Sequence, residues 1–531
     1  MAETVQQLLR ERAGDAGRAV AYGDRSWTWA QHLDDAAREA ASLIALADRA
    51  RPLHVGTLLA NGPDMLTAMA AAGLGGYVLA GINNTRRGEA LARDILRADC
   101  QLLLTDAAHR GLLDGLHLPG VRILDVDSAE WTALLQNATE LVPHREVSPT
   151  DTFMLIFTSG TSGEPKAVRV AHMMIPFSGT ALVQRFSITS DDVCYLSMPL
   201  FHSNALLAGW SVAVTSGAAM APATFSASRL LDDLRRYGVT YLNYVGKPLA
   251  YVLATPERRD DHDNPLRVAF GNEAAERDIA EFGRRFGCTV WDGFGSTEGA
   301  VIITRDGECP PGSVGRGFPG VAVYNPETLT ECPAAVFDAN GALSNPREAI
   351  GEIVNTTGPG LFGGYYNDDA ATGERLRQGM YWSGDLAYRD ADGWIYLAGR
   401  TGEWLRVDGE NLSCAPIERI LHRLHPINRV AVYAVPDDLV GDAVMAAIVL
   451  RDGASLSPGE FTDFLSAQAD LSPKAWPRYV WIADDLPVTA TNKVIKRHLT
   501  AQAARIPHGI LWERAPRSRS YRSVNRTGPA H

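Results

Sequence analysis

The amino-acid sequence predicts an α/β protein with more than one domain. Its 531 residues exceed what a single hydrophobic core usually organises. Short apolar runs that resemble strands alternate with helical patterns, which indicates buried parallel sheets with helices on their faces. After about residue 299 the chain changes to short segments rich in glycine and proline, and a last αβ unit begins near residue 400.

Each element of the first region is predicted from the pattern of its apolar residues. Short continuous apolar runs indicate buried strands, and longer amphipathic stretches indicate helices. Pro63 suits the first turn of a helix that starts within Asn61–Asp64. A second helix is predicted at Arg86–Arg97, and the predicted strands are His54–Ala60, Gly76–Ile82, Gln101–Thr105, Val239–Asn243, Leu266–Phe270 and Thr289–Trp291.

The later part of the chain is predicted to contain a β-rich subdomain and a smaller αβ unit. The subdomain covers about 300–397. The tail Trp512–His531 is basic and rich in serine and arginine, so it is expected to be disordered. The αβ unit is predicted to hold the helices Pro416–Leu424 and Pro458–Gln468 and the strands Val430–Val435, Ala443–Leu450 and Arg478–Ile482.

Composition narrows the possible function classes. A net charge of −12 disfavours non-specific binding to nucleic acid. Six scattered cysteines without a CxxC pair indicate reduced thiols in a cytoplasmic protein, and the N-terminus does not resemble a signal peptide. The uncharged stretch Val193–Ser228 is broken by prolines, so a buried core strand and helix are expected there rather than a membrane span. The sequence does not decide whether the protein makes weak contact with a membrane surface or whether it forms a homodimer.

The most informative segment is Thr158–Val168, which reads TSGTSGEPKAV and follows the apolar run Phe153–Phe157. Glycines allow a tight turn whose consecutive N–H groups can bind an anion. Hydroxyl groups add donors and Lys166 adds positive charge, so a polyphosphate is the natural ligand. Pro165 and the lack of Ser or Thr after Lys166 argue against a Walker A loop.

Three further segments, those around Glu298, Asp385 and Arg400, could complete a nucleotide site. Trp291–Gly299 follows a strand and contains Glu298, a hard oxygen ligand that suits Mg²⁺. Asp385 and Arg400 flank a predicted hairpin with its turn at Asp392–Gly393, and Asp385 can accept both ribose hydroxyls. Alone, each segment also fits an ordinary surface turn or hairpin.

Together these segments resemble the adenylate-forming (ANL) superfamily of acyl-CoA synthetases, luciferases and adenylation domains. The order along the chain also fits, with Gly271–Glu273 on the adenine side and Gly409–Ser413 after the hinge. Pro487–Lys493 resembles the family's PxTxxGK motif, with Asn492 in place of glycine, and Phe294 stands where tyrosine is usual. The likeness covers roughly residues 20–500.

One branch of that family fits better than the others. Gly81–Arg87 and Tyr244–Pro256 resemble segments of the very-long-chain acyl-CoA synthetase and fatty-acid transport protein branch. Ala167 after Lys166 and Gly402 at the hinge position are also typical of that branch. Within it, the chain is most similar to actinobacterial ligases that activate fatty acids or steroid side-chain acids.

The resemblance implies an architecture and a set of site residues. The N-terminal domain, 1–400, would contain two mixed sheets with helices plus the β-rich subdomain, and a mobile α+β domain would cover 401–510 before the tail 511–531. Catalytic roles fall on Thr158, Lys166, Glu298 (also the metal ligand) and Lys493. The implied ATP/AMP-binding residues are Ser159, Gly160, Thr161, Ser162, Gly163, Gly271, Asn272, Glu273, Asp292, Gly293, Phe294, Gly295, Ser296, Thr297, Asp385 and Arg400; the acyl pocket would hold His202, Tyr244, Val245 and Gly246; and the hinge and CoA step would use Gly402, Gly409, Glu410 and Asn411.

The implied activity is an ATP-dependent acyl-CoA ligase that uses Mg²⁺ and CoA. A hydrophobic carboxylate would attack the α-phosphate of ATP to give acyl-AMP, and CoA would then take the acyl group. A long-chain fatty acid, a steroid side-chain acid and a polycyclic terpenoid acid all fit. Three alternatives remain: a ligase that loads a carrier protein, an enzyme specialised for one half-reaction, and a catalytically silent lipid-binding or transport module.

Overall fold

The computed structural model describes residues 2–158, 165–246, 248–305, 309–339, 343–400, 404–407, 410–437, 441–471, 473–488, 494–502, 510–515 and 518–524. The chain divides into two compact units. The first consists of Met1–Ala300 with Pro359–Leu376, and the second of Val301–Gly358 with Arg377–His531. The segment 359–376 therefore returns to the first unit after the chain has entered the second.

The first unit is built on two mixed sheets. In one sheet the described strands run in the order β6-β5-β3-β4-β7-β8, parallel except for β8, and in the other β13-β12-β11-β9-β10-β1-β2, parallel except for β2. Their bounds are β1 Arg18–Tyr22, β2 Arg25–Thr28, β3 His54–Leu58, β4 Val78–Gly81, β5 Leu102–Thr105, β6 Arg122–Asp125, β7 Thr152–Thr158, β8 Lys166–Ala171, β9 Val193–Leu196, β10 Ala219–Pro222, β11 Tyr241–Val245, β12 Val268–Asn272 and β13 Thr289–Gly293.

Helices cover these sheets, and local signals fix several of their ends. A reciprocal capping box between Thr28 and Gln31 starts the second helix, and Pro63 occupies the first turn of the third, as predicted. A π-helical turn, Leu206–Trp210, lies between the seventh and eighth helices. The helices are α1 Val5–Arg10, α2 Trp29–Leu46, α3 Pro63–Gly75, α4 Gly88–Arg97, α5 Ala129–Gln136, α6 Met174–Phe186, α7 Ser203–Ala205, α8 Ser211–Ser216, α9 Leu230–Tyr237, α10 Pro248–Leu253 and α11 Glu276–Phe286.

The main core of the first unit joins residues of both sheets with helices α1, α2, α3, α6 and α8. It includes Phe153 of β7, Leu196 of β9 and Trp210, all nearly or fully buried. Phe153 stacks on Trp210 at a ring-centroid distance of 5.7 Å. The stretch Val193–Ser228 forms β9, the helical segment around Trp210 and β10, so the prediction of buried core elements there is confirmed.

The second unit contains two sheets, one antiparallel and one mixed, in which only β24 and β25 pair in parallel among the described strands. Described strands of the first follow the order β14-β15-β20-β19-β17-β16, and those of the second β22-β21-β24-β25-β26-β27, with β23 pairing β24. The strands are β14 Ile303–Thr304, β15 Gly315–Gly317, β16 Val321–Tyr324, β17 Gly351–Asn355, β18 Leu376–Arg377, β19 Met380–Arg389, β20 Trp394–Arg400, β21 Trp404–Val407, β22 Glu410–Ser413, β23 Ile427–Asp437, β24 Gly441–Leu450, β25 Tyr479–Ile482, β26 Ile510–Arg514 and β27 Tyr521–Val524.

The remaining helices complete both units. Helix α13 belongs to the first unit and the others to the second. Ser457 and Glu460 form a capping box at the start of α15, where Pro458 takes the first turn. The helices are α12 Pro346–Ala349, α13 Asp369–Arg375, α14 Cys414–Leu421, α15 Pro458–Ala467 and α16 Lys496–Gln502.

The C-terminal tail departs from the sequence prediction. Disorder was expected from residue 511, but β26 and β27 form an antiparallel hairpin that extends the last sheet. Trp512 is 2% exposed and packs with Tyr521 around Phe461 of α15. For the described residues 511–515 and 518–524 the prediction is wrong, because two buried aromatic side chains compensate for the basic composition. No helix within the described ranges is long and apolar enough to cross a membrane.

Candidate active site

The predicted phosphate loop connects two antiparallel strands. Thr158, the last residue of β7, pairs with Lys166, the first residue of β8. Residues 159–164, which include the predicted ligands Ser159, Gly160, Thr161, Ser162 and Gly163, lie outside the described residues. Because a strand and not a helix follows the loop, the structure agrees with the prediction that this segment is not a Walker A motif.

Lys166 is a nearly buried cation at the base of that loop. Its side chain is 10% exposed, and Nζ lies 3.6 Å from Oε2 of Glu374. The same ammonium group stands 5.1 Å from the centre of the Tyr365 ring, within the range of a cation–π interaction. Glu374 is largely exposed and therefore screened, so it balances the charge of Lys166 only weakly.

Glu298 contacts the hydroxyl group of the same tyrosine. Its Oε1 accepts a hydrogen bond of 3.0 Å from the Tyr365 hydroxyl group, while Oε2 has no hydrogen-bond partner among the described residues. A free carboxylate oxygen fits Mg²⁺, which keeps several waters and is bound by one or two carboxylates with substrate phosphates. The described part of the chain contains no cluster of three His, Cys, Asp or Glu side chains that could hold a metal ion.

The carboxyl ends of β11, β12 and β13 bring together residues predicted separately. Parallel strands end at one edge of a sheet, where ligands of open α/β folds usually bind. A Cβ atom on Gly271 would stand 2.1 Å from the Tyr244 carbonyl oxygen, so only glycine fits there. Two rows of predicted residues cross this edge, first Tyr244, Gly271 and Asp292, then Val245, Asn272 and Gly293.

Polar contacts fix this edge. Asp292 Oδ2 accepts hydrogen bonds of 3.0 Å from the Tyr244 hydroxyl group and the backbone N–H of Ala274. Asn272 donates to the carbonyl oxygen of Gly293 at 2.7 Å. Glu273, which lies between Asn272 and Ala274 in the sequence, adopts a left-handed backbone conformation with φ of 65°. Such a conformation is uncommon outside glycine and clusters at functional sites, so this turn is well placed for a ligand.

A second network connects this edge to the helical segment that carries His202. Asn204 donates to the Tyr244 carbonyl oxygen and to Asn272 Oδ1, each at 3.2 Å. The hydroxyl groups of Ser203 and Thr297 are hydrogen-bonded at 2.9 Å. The predicted residues Thr297, Asn272 and Tyr244 are therefore linked through two side chains that sequence reasoning did not select.

His202 is a neutral histidine in this region. Burial lowers the pKa of its imidazole to about 4. Its Nε2 is buried and has no hydrogen-bond partner within the described residues, and its ring lies 4.6 Å from that of Phe201. At physiological pH the ring can therefore donate or accept one hydrogen bond, but it carries no charge to bind a carboxylate.

The second unit contains the predicted ribose site. Asp385 of β19 and Arg400 of β20 are direct backbone partners across the hairpin. The turn falls at the predicted position, where Gly393 has φ of 86°. The backbone N–H of Asp385 is held by Ser383 Oγ at 3.0 Å, which fixes the strand at the carboxylate.

Several predicted residues cannot be placed. Lys493, Gly402 and Gly409 lie outside the described residues. For Glu410 and Asn411 the backbone is described: both belong to β22 and pair with Val407 and Arg406 of β21. Phe294, Gly295 and Ser296 follow β13 directly, so they continue from the strand edge described above. The chemical roles of all these residues stay predictions.

Sequence reasoning missed Tyr365, which contacts both Lys166 and Glu298. Its hydrogen bond to Glu298 spans 67 residues of sequence, so no local motif joins them. The available signal was the run Gly363-Gly364-Tyr365-Tyr366, in which two glycines precede two tyrosines; Tyr365 is buried in the fold.

Comparison with known proteins agrees with this geometry. The family model "AMP-binding enzyme" matches residues 9–366, and "AMP-binding enzyme C-terminal domain" matches 416–493. Over 500 residues the chain is 51% identical to a medium/long-chain-fatty-acid–CoA ligase, FadD17, of Mycobacterium marinum, covering 94% of this chain and 96% of the relative. It is 43% identical over 509 residues to a steroid-22-oyl-CoA synthetase of Rhodococcus jostii, covering 94% and 91%.

The fold also matches a solved structure. ATP-bound MatB from Rhodopseudomonas palustris superposes with a TM-score of 0.83 at 23% identity, over 95% of this chain and 100% of the other. At that identity the likeness supports the fold alone. The family resemblance predicted from the motifs is confirmed by the family models and the relatives together. The chain belongs to the AMP-binding enzyme family, within the acyl-CoA synthetases of the adenylate-forming (ANL) superfamily.

Proposed function

We propose that this protein is an ATP- and Mg²⁺-dependent CoA ligase that activates a hydrophobic carboxylic acid through an acyl-AMP intermediate. The observation that carries the proposal is the meeting of Lys166 and Glu298 around Tyr365, next to the phosphate-loop hairpin of an AMP-binding enzyme. A cation and a free carboxylate oxygen at that position suit the two needs of MgATP, which are compensation of phosphate charge and a ligand for the metal.

In the first half-reaction the acid's carboxylate oxygen attacks the α-phosphorus of ATP, and the bond to pyrophosphate breaks. Lys166, with the loop from Thr158 to Gly163, binds the polyphosphate. Glu298 would hold Mg²⁺, which would neutralise charge on the phosphate oxygens. Lys493 stabilises the charge that develops at the α-phosphate, as a preorganised cation does in a transition state.

The adenosine part of ATP fits the strand edge at β11–β13. The left-handed turn at Glu273 and the glycines beside it allow close approach of a flat base, which Phe294 covers. Thr297 bonds a phosphate oxygen, and Asp385 with Arg400 binds the ribose hydroxyls. The roles at the strand edge rest on the positions of its residues in β11–β13. Those of Asp385 and Arg400 rest on their pairing within the second unit and on the family resemblance.

In the second half-reaction the CoA thiolate attacks the acyl carbon, and AMP leaves. Lys493 is then no longer needed, and the segment Gly409–Asn411 takes its place. We place the hinge for this exchange at Gly402, between an N-terminal domain of residues 1–400 and a C-terminal domain from 401 to about 510. Holding both reactants on one protein supplies much of the rate enhancement through proximity.

The acid is a hydrophobic one. Partly buried apolar side chains occur at and near this strand edge, among them Val245, Phe270 and Trp291 of β11–β13 and Leu207 of the π-helical turn. His202 nearby is neutral, so it places no charge against an apolar chain. Fatty acids, steroid side-chain acids and polycyclic terpenoid acids all suit this surface, and the relatives named above act on the first two classes. All six cysteines are free thiols, which supports a cytoplasmic location.

A thioester screen tests this function. The purified protein is incubated with ATP, Mg²⁺ and CoA and one acid from each of the three classes, while AMP release and acyl-CoA are measured together. The proposal predicts equal amounts of AMP and thioester with at least one class. AMP without CoA thioester, but with loading of a carrier protein, would favour the carrier-protein ligase. Failure with all three classes and with supplied acyl-AMP would favour a silent binding module.

A further inference from the structure

Tyr365 occupies a fixed place between the two charged groups of the proposed ATP site. It is 2% exposed. One ring face meets the ammonium group of Lys166 at 5.1 Å, and the hydroxyl group donates to Glu298 Oε1 at 3.0 Å. One side chain therefore touches both the phosphate-binding cation and the metal-binding carboxylate.

The backbone around Tyr365 is attached to the phosphate-loop hairpin. Tyr365 forms a β-bridge with Val168 of β8, and the N–H of Tyr366 donates to the Ala167 carbonyl oxygen at 2.8 Å. On the other side, the N–H of Tyr365 donates to Thr372 Oγ1 at 3.0 Å. The position of the ring is therefore set by β8, the strand that begins with Lys166, rather than by a free loop.

The hydroxyl group of Tyr365 is the donor in its hydrogen bond to Glu298, because a carboxylate oxygen only accepts. A hydroxyl group that bonds Oε1 restricts rotation of the Glu298 carboxylate and would leave Oε2 to bind Mg²⁺. Groups that orient metal ligands in this way commonly change metal affinity by about 10- to 100-fold when removed.

We propose that Tyr365 is a positioning residue. It holds the Mg²⁺-binding carboxylate of Glu298 and the phosphate-binding cation of Lys166 in fixed positions relative to each other. The inference rests on the proposed function, since it assigns a task to a neighbour of that site. The hydroxyl group of Tyr365 orients the metal ligand Glu298, and the ring of Tyr365 contacts the cation of Lys166. The two contributions separate by mutation, because Tyr365→Phe keeps the ring. It removes only the hydroxyl group, with its bond to Glu298 and the longer bond of 3.4 Å that it accepts from Arg375 Nε.

The chain provides a matched control in the next residue. The Tyr366 hydroxyl group donates to the carboxylate of Asp99 at 2.8 Å, so Tyr366→Phe also removes a tyrosine–carboxylate hydrogen bond in the same segment. Asp99 is not part of the proposed site. Both variants are expected to fold, since each keeps the aromatic ring, and thermal unfolding of each is compared with that of the wild type.

The experiment measures acid-dependent pyrophosphate exchange against Mg²⁺ concentration for the wild type and both variants. Tyr365→Phe is expected to raise the half-saturating Mg²⁺ concentration by about 10-fold or more, while Tyr366→Phe stays within about twofold of the wild type. Thioester formation from supplied acyl-AMP, which needs no ATP-bound metal, should be unchanged in both. Tyr365→Leu should in addition raise the KM for ATP by about twofold or more through loss of the ring.

Each outcome supports or overturns the proposal. The proposal is overturned if folded Tyr365→Phe and folded Tyr366→Phe have the same half-saturating Mg²⁺ concentration. A loss of equal size in exchange and in thioester formation from acyl-AMP also overturns it, because that pattern indicates general damage. Absence of exchange in the wild type would instead contradict the proposed function, so the two failures are distinguishable.

Discussion

Lys493 is assigned to only one of the two half-reactions. Replacing it by alanine removes a positive charge that is needed while the α-phosphate is attacked. We expect Lys493→Ala to lower pyrophosphate exchange by about 10²–10³-fold, the scale measured for one preorganised group. Thioester formation from supplied acyl-AMP should continue. Equal losses in both assays would contradict the division of labour between the two steps.

Glu298 is assigned to the metal. We expect Glu298→Gln to weaken Mg²⁺-dependent ATP use and to raise the Mg²⁺ concentration that it requires, because an amide oxygen is a poorer ligand for a hard dication than a carboxylate. Asp99→Asn is the matched control, since Asp99 also accepts a hydrogen bond from a tyrosine, Tyr366, but lies outside the proposed site. An unchanged Mg²⁺ titration of Glu298→Gln would remove Glu298 from the metal site.

Two buried histidines predict how stability depends on pH. Burial lowers the pKa values of His32 and His172 to about 4, below the unfolded value near 6.5. Between those values the unfolded chain binds more protons than the folded one, so stability falls as pH decreases from about 6.5 to 4. The slope is about 1.4 kcal/mol per histidine per pH unit.

Denaturant unfolding at several pH values checks this slope. His32→Gln should reduce the loss of stability between pH 6.5 and 5 compared with the wild type, whatever its effect at pH 7. An unfolding free energy with the same pH dependence in His32→Gln and in the wild type would contradict the buried neutral state of the His32 ring.

At the scale of elements, the C-terminal hairpin β26–β27 is a structural part of the last sheet. Trp512 is 2% exposed and lies 5.9 Å from the Phe461 ring. We expect Trp512→Ala to destabilise the C-terminal part of the chain by about 3–5 kcal/mol, because it leaves a large cavity. Calorimetry measures the loss, and the exposed Arg522→Ala serves as the control. A change no larger than that of Arg522→Ala would show that the hairpin contributes little.

Elements predicted from local signals agree best with the structure. The hairpin between Asp385 and Arg400 was located by its Asp392–Gly393 turn, and the helix at Pro63 by its first-turn proline. Both signals act within a few residues. The predicted order of strands and helices before residue 300 is also confirmed, because parallel strands are continuous apolar runs.

Elements that depend on distant contacts were missed. The composition of the tail indicates disorder, but Trp512 and Tyr521 find an apolar partner in Phe461, about fifty residues earlier. The role of Tyr365 depends on Glu298, 67 residues before it. A motif states which residue types are present, whereas contacts across such distances are set by the folded sheets.

At the scale of the whole molecule, the central prediction is a hinge at Gly402. Glycine gives the widest choice of φ and ψ, and proline fixes φ near −65°. We expect Gly402→Pro to keep pyrophosphate exchange and to lower CoA-thioester formation steeply, because the second step needs a different arrangement of the C-terminal domain. If a folded Gly402→Pro variant slows both half-reactions equally, or neither, the hinge is elsewhere.

The most direct test of the account is acid-dependent exchange of labelled pyrophosphate into ATP in the absence of CoA. The acid is the best substrate from the thioester screen. The account predicts exchange that requires the acid and Mg²⁺, followed by stoichiometric release of AMP and acyl-CoA when CoA is added. ADP as the nucleotide product, or thioester formation without any exchange, would contradict activation through acyl-AMP.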